Sequence, residues 1–271
     1  MKRAIFAVGL LLAACTTALA TPPQEAAAPA APQRAQFDLG RPYLGGPLPG
    51  GLQLVLPPPA PDSARMLRDL EVNEAAMAGQ GGPRWQLAAR DAFLGPGWVG
   101  NAFSCSAGVT ISDATTPVLA NLLRRTATDF AMSAGAVKDH YNRQRPFAAN
   151  GTPSCTPDDE AGLAHNGSYP SGHSAMGFGT GLVLAAVLPD HAAALVRRGR
   201  QFGESRALCN VHWQSDVEAG QLVASATFAR LQSDGAYRAD VEAARAELAT
   251  AQPLDAAAQA ACQADEAVLG D

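Results

Sequence analysis

The stretch TPVLANLLRRTATDFAMSAGAV, Thr116 to Val137, decides the fold. Its apolar residues return at three- and four-residue steps: Val118, Leu119, Leu122, Leu123, Ala127, Phe130, Ala134 and Val137. That is the period of an α-helix with one buried stripe. Thr116 followed by Pro117 opens it. A proline in the first turn gives up an N–H that has no helical acceptor, and its fixed φ already suits a helix.

Working outward, the same period recurs along most of the chain. Asp62 or Ser63 caps a helix carrying Met66, Leu67, Leu70, Val72 and Ala75. Downstream the pattern predicts a helix from Ser174 to Leu188, stopped by Pro189, and another capped by Asp190 and reaching about Cys209. A further helix runs from His212 to Gln232, and a charged one from Arg238 to Leu248. Gly40 to Asp62 reads as loop, punctuated by Gly45-Gly46, Gly50-Gly51 and Pro57-Pro58-Pro59. The β-branched alternation of strands is nearly absent. The expected fold is all-α: a single-domain helical bundle with long functional loops over residues 37–250, and 251–271 as a C-terminal tail.

The N-terminus reads as a targeting segment. Lys2 and Arg3 precede an apolar run from Ala4 to Ala14, and small residues follow. Ala18-Leu19-Ala20 gives a cleavage site and a signal peptide over 1–20. Leu12-Ala13-Ala14-Cys15 is a competing lipobox that would place a lipid anchor on Cys15. Residues 21–36, rich in Ala and Pro, are expected to form a disordered linker. A net charge of −5 over 271 residues excludes a nucleic-acid polymer as partner, since that needs a clustered basic surface. Past the leader, the longest apolar run, Gly181 to Leu188, is roughly half of a membrane span, so no transmembrane segment is expected. Of the five cysteines, at 15, 105, 155, 209 and 262, four remain once Cys15 is removed or lipidated. An even number fits two disulfides in an oxidising compartment, here the periplasm. Three pairings are open, and Cys105 with Cys155 is the one we prefer. No C-x-x-C spacing occurs, which argues against structural zinc.

Three blocks carry chemistry. Lys138 sits near the end of the long helix, and Arg145, seven residues on, is biased away from helical geometry by Pro146; together they offer an ammonium and a guanidinium fork to one anion. Alone they read equally well as a solvated helix end. Pro170-Ser171-Gly172-His173 leads into an apolar helix. There Ser171 can cap the helix and donate its hydroxyl, Gly172 admits close backbone approach, and His173 stands at an N-terminus that favours anions. In Ser205-Arg206 with His212 and Asp216, the four-residue spacing sets His212 and Asp216 on one helix face. Asp216 would accept the Nδ1–H of His212 and leave Nε2 free to attack, with Arg206 as a third cation. The bland alternative is an ordinary i,i+4 His–Asp pair.

Together the blocks resemble the tripartite signature of the superfamily of type 2 phosphatidic acid phosphatases, glucose-6-phosphatase and vanadium haloperoxidases. Gly167-Ser168-Tyr169 before the Pro-Ser-Gly-His, the run His212-Trp213-Gln214-Ser215-Asp216-Val217, and Leu56-Pro57-Pro58-Pro59 with Asp62-Ser63 are similar to the bacterial class A non-specific acid phosphatases. The resemblance spans about residues 40 to 250 and leaves out the Ala/Pro-rich segment, Cys105 and the Cys262 tail. It implies an exported, metal-independent phosphomonoesterase of broad range that needs no cofactor, acts on small phosphate monoesters and assembles as a homo-oligomer. His212 would take the phosphoryl group and Asp216 would orient it. His173 would protonate the leaving oxygen, and Lys138, Arg145, Ser171, Gly172 and Arg206 would hold the phosphate. The three cations should lower the pKa of His212, while a bound dianion keeps His173 protonated, so an optimum below neutral pH is expected. A haloperoxidase would use the same pocket for vanadate, but the extended motif and the modest length favour the phosphatase. A non-catalytic oxyanion binder would not need His212, Asp216 and His173 together. His140, His165 and His191 read as surface or rim residues, and Trp213 as packing.

Overall fold

Ser63 Oγ accepts the N–H of Met66 at 3.2 Å, so of the two candidate caps the serine is the one used. The computed structural model describes residues 37–45, 48 and 51–270. The expected leader with its two candidate cleavage sites, Cys15 and the Ala/Pro-rich stretch lie outside them. The chain is all-α. In order come α1 (Gly51–Leu54), α2 (Ala64–Ala78), α3 (Pro83–Asp91), α4 (Trp98–Ala107) and α5 (Pro117–Tyr141). They are followed by α6 (Pro146–Asn150), α7 (Glu160–Leu163), α8 (Gly172–Val187), α9 (Ala192–Leu208), α10 (Gln214–Leu231), α11 (Gly235–Leu248) and α12 (Ala256–Leu269).

The bundle is built around α8, which is apolar on nearly every face and buries Ala175, Met176, Val183, Leu184 and Val187. Helices α5, α9 and α10 surround it. Most of the stripe read from Thr116 to Val137 is the face α5 turns inward: Leu119, Leu122, Leu123, Ala127, Phe130, Ala134 and Val137 are buried, while Val118, at the helix start, is exposed. Burying a leucine or phenylalanine of this kind is worth about 1.5–3 kcal/mol. Helices α8 and α9 cross at backbone distance. A Cβ on Gly199 would lie 2.8 Å from Gly177 O, so neither helix could carry a side chain there without separating the pair.

Several expectations need correcting. Asp190 does not cap α9. Pro189 starts a 3-10 turn over Pro189–His191 with Asp190 inside it, and α9 begins only at Ala192. Helix α10 begins at Gln214, with Trp213 as its extended N-cap, so His212 is not on the helix at all. Arg145, by contrast, is off the helix that carries Lys138 as Pro146 led us to expect: Asn142, at φ 40°, ends α5 in the left-handed region and Arg145 is extended. Gly40 to Asp62 holds the single turn α1 within its loop. The tail contains α12, capped by Asp255.

The preferred disulfide is also overturned. Cys105 at the end of α4 pairs with Cys262 on α12, and Cys155 pairs with Cys209. The loop after α6 runs beside the end of α9, where Cys155 N–H donates to Cys209 O at 3.1 Å. Cys105 lies instead against the C-terminal helix.

Candidate active site

The site sits where the ends of five helices, α5, α6, α8, α9 and α10, meet. Lys138 comes from the last turn of α5, Arg145 caps α6, and Ser171, Gly172 and His173 open α8. Arg206 comes from the last turn of α9, His212 from the loop after it, and Asp216 from the first turn of α10. The structure thus brings every residue of the three blocks together, by a different local geometry from the one expected for two of them.

His212 is held at both ring nitrogens. Nε2 lies 3.1 Å from Arg145 Nη1, and Nδ1 lies 3.3 Å from Asp216 Oδ2. A guanidinium can only donate, so Nε2 carries the lone pair and Nδ1 the proton. Asp216 reaches back across the start of α10, where its Oδ2 also accepts the N–H of Trp213 at 2.8 Å. The His–Asp pair is therefore part of a helix cap instead of an i,i+4 surface pair.

Arg145 is fixed by carbonyls. Its Nε donates to Leu163 O and Asn166 O at 2.9 and 3.0 Å, and Nη1 to Val211 O at 2.9 Å. Lys138 Nζ donates to Gly167 O at 2.7 Å, and its Cε lies 3.8 Å from where a Cβ on Gly172 would stand. Arg206 differs: it is 2 % exposed, and its Nε and Nη1 have no hydrogen-bond partner among the described residues. A buried guanidinium with idle donors is a large unfavourable term until an anion meets it.

At the start of α8, Ser171 Oγ accepts the N–H of Ser174 at 3.1 Å, which leaves its own proton free to donate. Ser171 N–H donates to Asp216 O at 2.9 Å, tying the anion cradle to α10. The N–H groups of Gly172 and His173 belong to the first turn, where no helical acceptor exists. His173 Nε2 lies 3.1 Å from Ala92 O, and its ring stacks on Phe202 at 6.3 Å. A carbonyl only accepts, so Nε2 carries the proton and Nδ1 is the nitrogen left for proton exchange.

Burial sets the electrostatics, with like charge adding to it. His212 is held well below the ordinary 6.5 by burial, then by Arg145, Lys138 and Arg206. His173 is lowered by burial and then by Arg206, against the Ala92 carbonyl. Burial and the nearby Arg145 bring Lys138 down to about 7. Burial brings Arg145 and Arg206 each to about 10. Asp216 is pushed up by burial, while Arg143 and the Trp213 N–H oppose the shift.

Three participants escaped the sequence reading. Arg143 donates to Asp216 Oδ1 at 2.7 Å and to Asp69 Oδ2 at 2.7 Å. Asp69 on α2 also accepts the N–H and Oγ–H of Ser215, at 2.8 and 2.6 Å. The third is the Ala92 carbonyl. Arg143 stood in view inside the spacer between Lys138 and Arg145. Nothing local marked Asp69 or Ala92. Of the remaining histidines, His140 stacks edge-on against Tyr141 and is exposed, while His191 Nδ1 meets Ser106 O at the surface. Trp213 packs with its Nε1–H on Gln144 O at 2.9 Å.

Comparison with known proteins follows the same lines. Residues 116–236 match the PAP2 superfamily. An acid phosphatase from Zymomonas mobilis is 40% identical over 201 residues, covering 74% of this chain and 76% of that protein. A non-specific acid phosphatase from Salmonella typhimurium is 41% identical over 193 residues, covering 71% and 77%. A third, from Providencia stuartii, is 37% identical over 199 residues, covering 73% and 80%. The chain belongs to the non-specific acid phosphatases. In this phosphatase all eight residues of the three blocks fall within the PAP2 match, and so does Arg143. Asp69 on α2 and Ala92, which follows α3, lie upstream of it.

Proposed function

We propose that this acid phosphatase cleaves phosphate monoesters of broad range through a phosphohistidine on His212. The observation that carries the reading is the pairing of idle cationic donors on buried Arg206 with a neutral, lone-pair-bearing Nε2 on His212. One calls for an anion and the other for an electrophile.

In the first half-reaction the Nε2 lone pair forms a bond to phosphorus while the P–O bond to the leaving group breaks. The leaving oxygen takes a proton from Nδ1 of His173. In the second, His173 Nδ1 takes a proton from water as the water oxygen attacks phosphorus and the N–P bond breaks, releasing phosphate. Lys138, Arg145, Arg206, Ser171 Oγ and the Gly172 N–H would hold the non-bridging oxygens, and fixed donors of this kind supply most of the stabilisation. Lys138, Arg145 and Arg206 supply the positive charge that metal ions supply in other phosphotransferases, so we take the chemistry to be metal-independent.

We take the protein to act outside the cytoplasm, in keeping with its leader and with Cys105–Cys262 and Cys155–Cys209. No described helix is long and apolar enough to cross a membrane.

The test is phosphate release from an aryl phosphate in excess EDTA, from acid to alkaline pH, with and without vanadate, for the parent and His212→Ala. The expected result is EDTA-resistant, vanadate-blocked turnover with an acid optimum. His212→Ala should keep inorganic phosphate binding and lose turnover by several orders of magnitude. Undiminished turnover in that variant would remove His212 from its role.

A further inference from the structure

Asp69, Arg143, Asp216 and His212 form one row through the back of the site. Charges alternate along it: Asp69 Oδ2 meets Arg143 Nη2 at 2.7 Å, Arg143 Nη1 meets Asp216 Oδ1 at 2.7 Å, and Asp216 Oδ2 meets His212 Nδ1 at 3.3 Å. The side chains of Asp69 and Asp216 are 1% and 0% exposed, and that of Arg143 is 11% exposed. With His212 neutral the row holds two carboxylates and one cation, a net charge of −1. Phosphorylation at Nε2 makes the imidazole ring cationic, and the alternation is then complete.

We infer that Arg143 and Asp69 are positioning residues for phosphoryl transfer, holding Asp216 ionised and aimed so that His212 keeps its proton on Nδ1 and its lone pair on Nε2. The inference rests on the phosphohistidine reading above. Two features go beyond simple ion pairing. First, the two oxygens of Asp216 are divided. Arg143 occupies Oδ1, which leaves Oδ2 for Trp213 N–H and His212. Second, Asp69 fixes Arg143 from the far side while gripping Ser215 through both its N–H and its hydroxyl. Since Ser215 precedes Asp216, α2 sets the position of the carboxylate through side chain and backbone together.

Without Arg143, Asp69 and Asp216 would be two buried carboxylates with no cation between them, and the protonated form of Asp216, which burial already favours, would gain. The groups facing Asp216 all bear on that outcome. They are Asp69 from α2, Lys138 from α5, Arg143 and Arg145 from the turn between α5 and α6, Tyr169 ahead of α8, and His212. Among the described residues, Arg143 is the one Arg or Lys bonded to Asp216. A protonated Asp216 no longer serves as a pure acceptor for the Nδ1–H, and the nucleophile loses its tautomer.

The experiment compares pH profiles of kcat and KM on an aryl phosphate for the parent, Arg143→Met, Arg143→Lys, Asp69→Asn and His212→Ala. Arg143→Met should lose roughly 100-fold in kcat, the scale of a misplaced reacting group, with KM and vanadate inhibition within a few-fold of the parent. The acid limb of its profile should move to higher pH, because Asp216 must now be deprotonated without its cation. Arg143→Lys should restore the limb in part, and Asp69→Asn should shift it the same way by less. A purely structural role would lower yield or melting temperature and leave the limb in place, which would overturn the inference. If Arg143→Met does not fold, Asp69→Asn carries the same prediction. A His212→Ala variant that still turns over would instead sink the phosphohistidine reading, whatever the profiles show.

Discussion

Arg145 Nη1 stands 3.1 Å from Nε2 of His212, so the guanidinium we propose as an anion donor also covers the lone pair of the proposed nucleophile. The same nitrogen donates to Val211 O, in the residue before the histidine. On the proposed mechanism, the anion would draw that donor toward itself and uncover Nε2, which would make substrate binding and activation of the nucleophile one event.

Replacing Arg145 with lysine keeps the charge and loses the fork. The variant should fall about 10²–10³-fold in kcat/KM, the scale for removal of one transition-state donor, with weaker vanadate inhibition. Steady-state kinetics with a vanadate titration would check this. A change of only a few-fold would mean the fork is unimportant.

The helices were open to sequence reading because burial on one face imposes its period, as α5 shows from Leu119 to Val137. Their ends were less so. Trp213 caps α10 because Asp216 folds back onto its N–H, a bond made by tertiary placement as much as by local pattern. Spacing therefore found His212 and Asp216 as partners while assigning them the wrong geometry. Arg143 stood in view within a spacer without a mark of its role, and Asp69 sits 74 residues from its partner Arg143 and 146 from its partner Ser215. Cys262 had no local mark tying it to Cys105. Long-range pairs of this kind leave no periodic trace.

Lys138 should carry a stability cost in the ligand-free enzyme. Its folded pKa, about 7, lies below the ordinary 10.5. Between those values the unfolded chain binds the proton more readily, so stability rises with pH across that window and the full cost is felt below about 7. Lys138→Met should therefore melt higher than the parent at mildly acid pH, by about 2–4 °C for each kcal/mol regained. The gain should shrink in alkaline buffer, and inorganic phosphate should no longer raise the melting temperature. Thermal melts at two pH values, with and without phosphate, decide it.

His173 should matter in proportion to the leaving group. Burial and Arg206 hold it well below the ordinary 6.5, and a bound dianion must raise it before it can act as an acid. The rate should fall as pH rises through the His173 pKa of the complex. His173→Ala should lose roughly 10²–10⁴-fold on an alkyl phosphate but far less phosphoenzyme formation on a dinitrophenyl phosphate, whose leaving group needs no proton. Phosphohistidine should then accumulate, because the water step still lacks its base. Acid-quench trapping would read this directly, and equal losses on both substrates would contradict it.

The two disulfides should separate cleanly. Cys155–Cys209 closes a 54-residue separation just ahead of His212, and its loss should cost about 4 kcal/mol by chain entropy and lower kcat as well. Cys262→Ser frees α12, which buries no residue, and should leave kcat/KM unchanged while making the C-terminal helix susceptible to protease. Activity assays after limited proteolysis would distinguish the two.

Gly220 on α10 faces the start of α8 so closely that a Cβ there would lie 2.4 Å from Ser171 O. The carbonyl of Asp216, one turn earlier, receives the N–H of the same serine. Nucleophile holder and anion cradle are thus referenced to a single backbone contact. Over evolutionary time this divides the chain's freedom in two. A descendant that keeps this frame must keep position 220 bare. The rim segment from Pro157 to Asn166 holds Arg145 through the backbone carbonyls of Leu163 and Asn166, so its side chains can change while its path cannot.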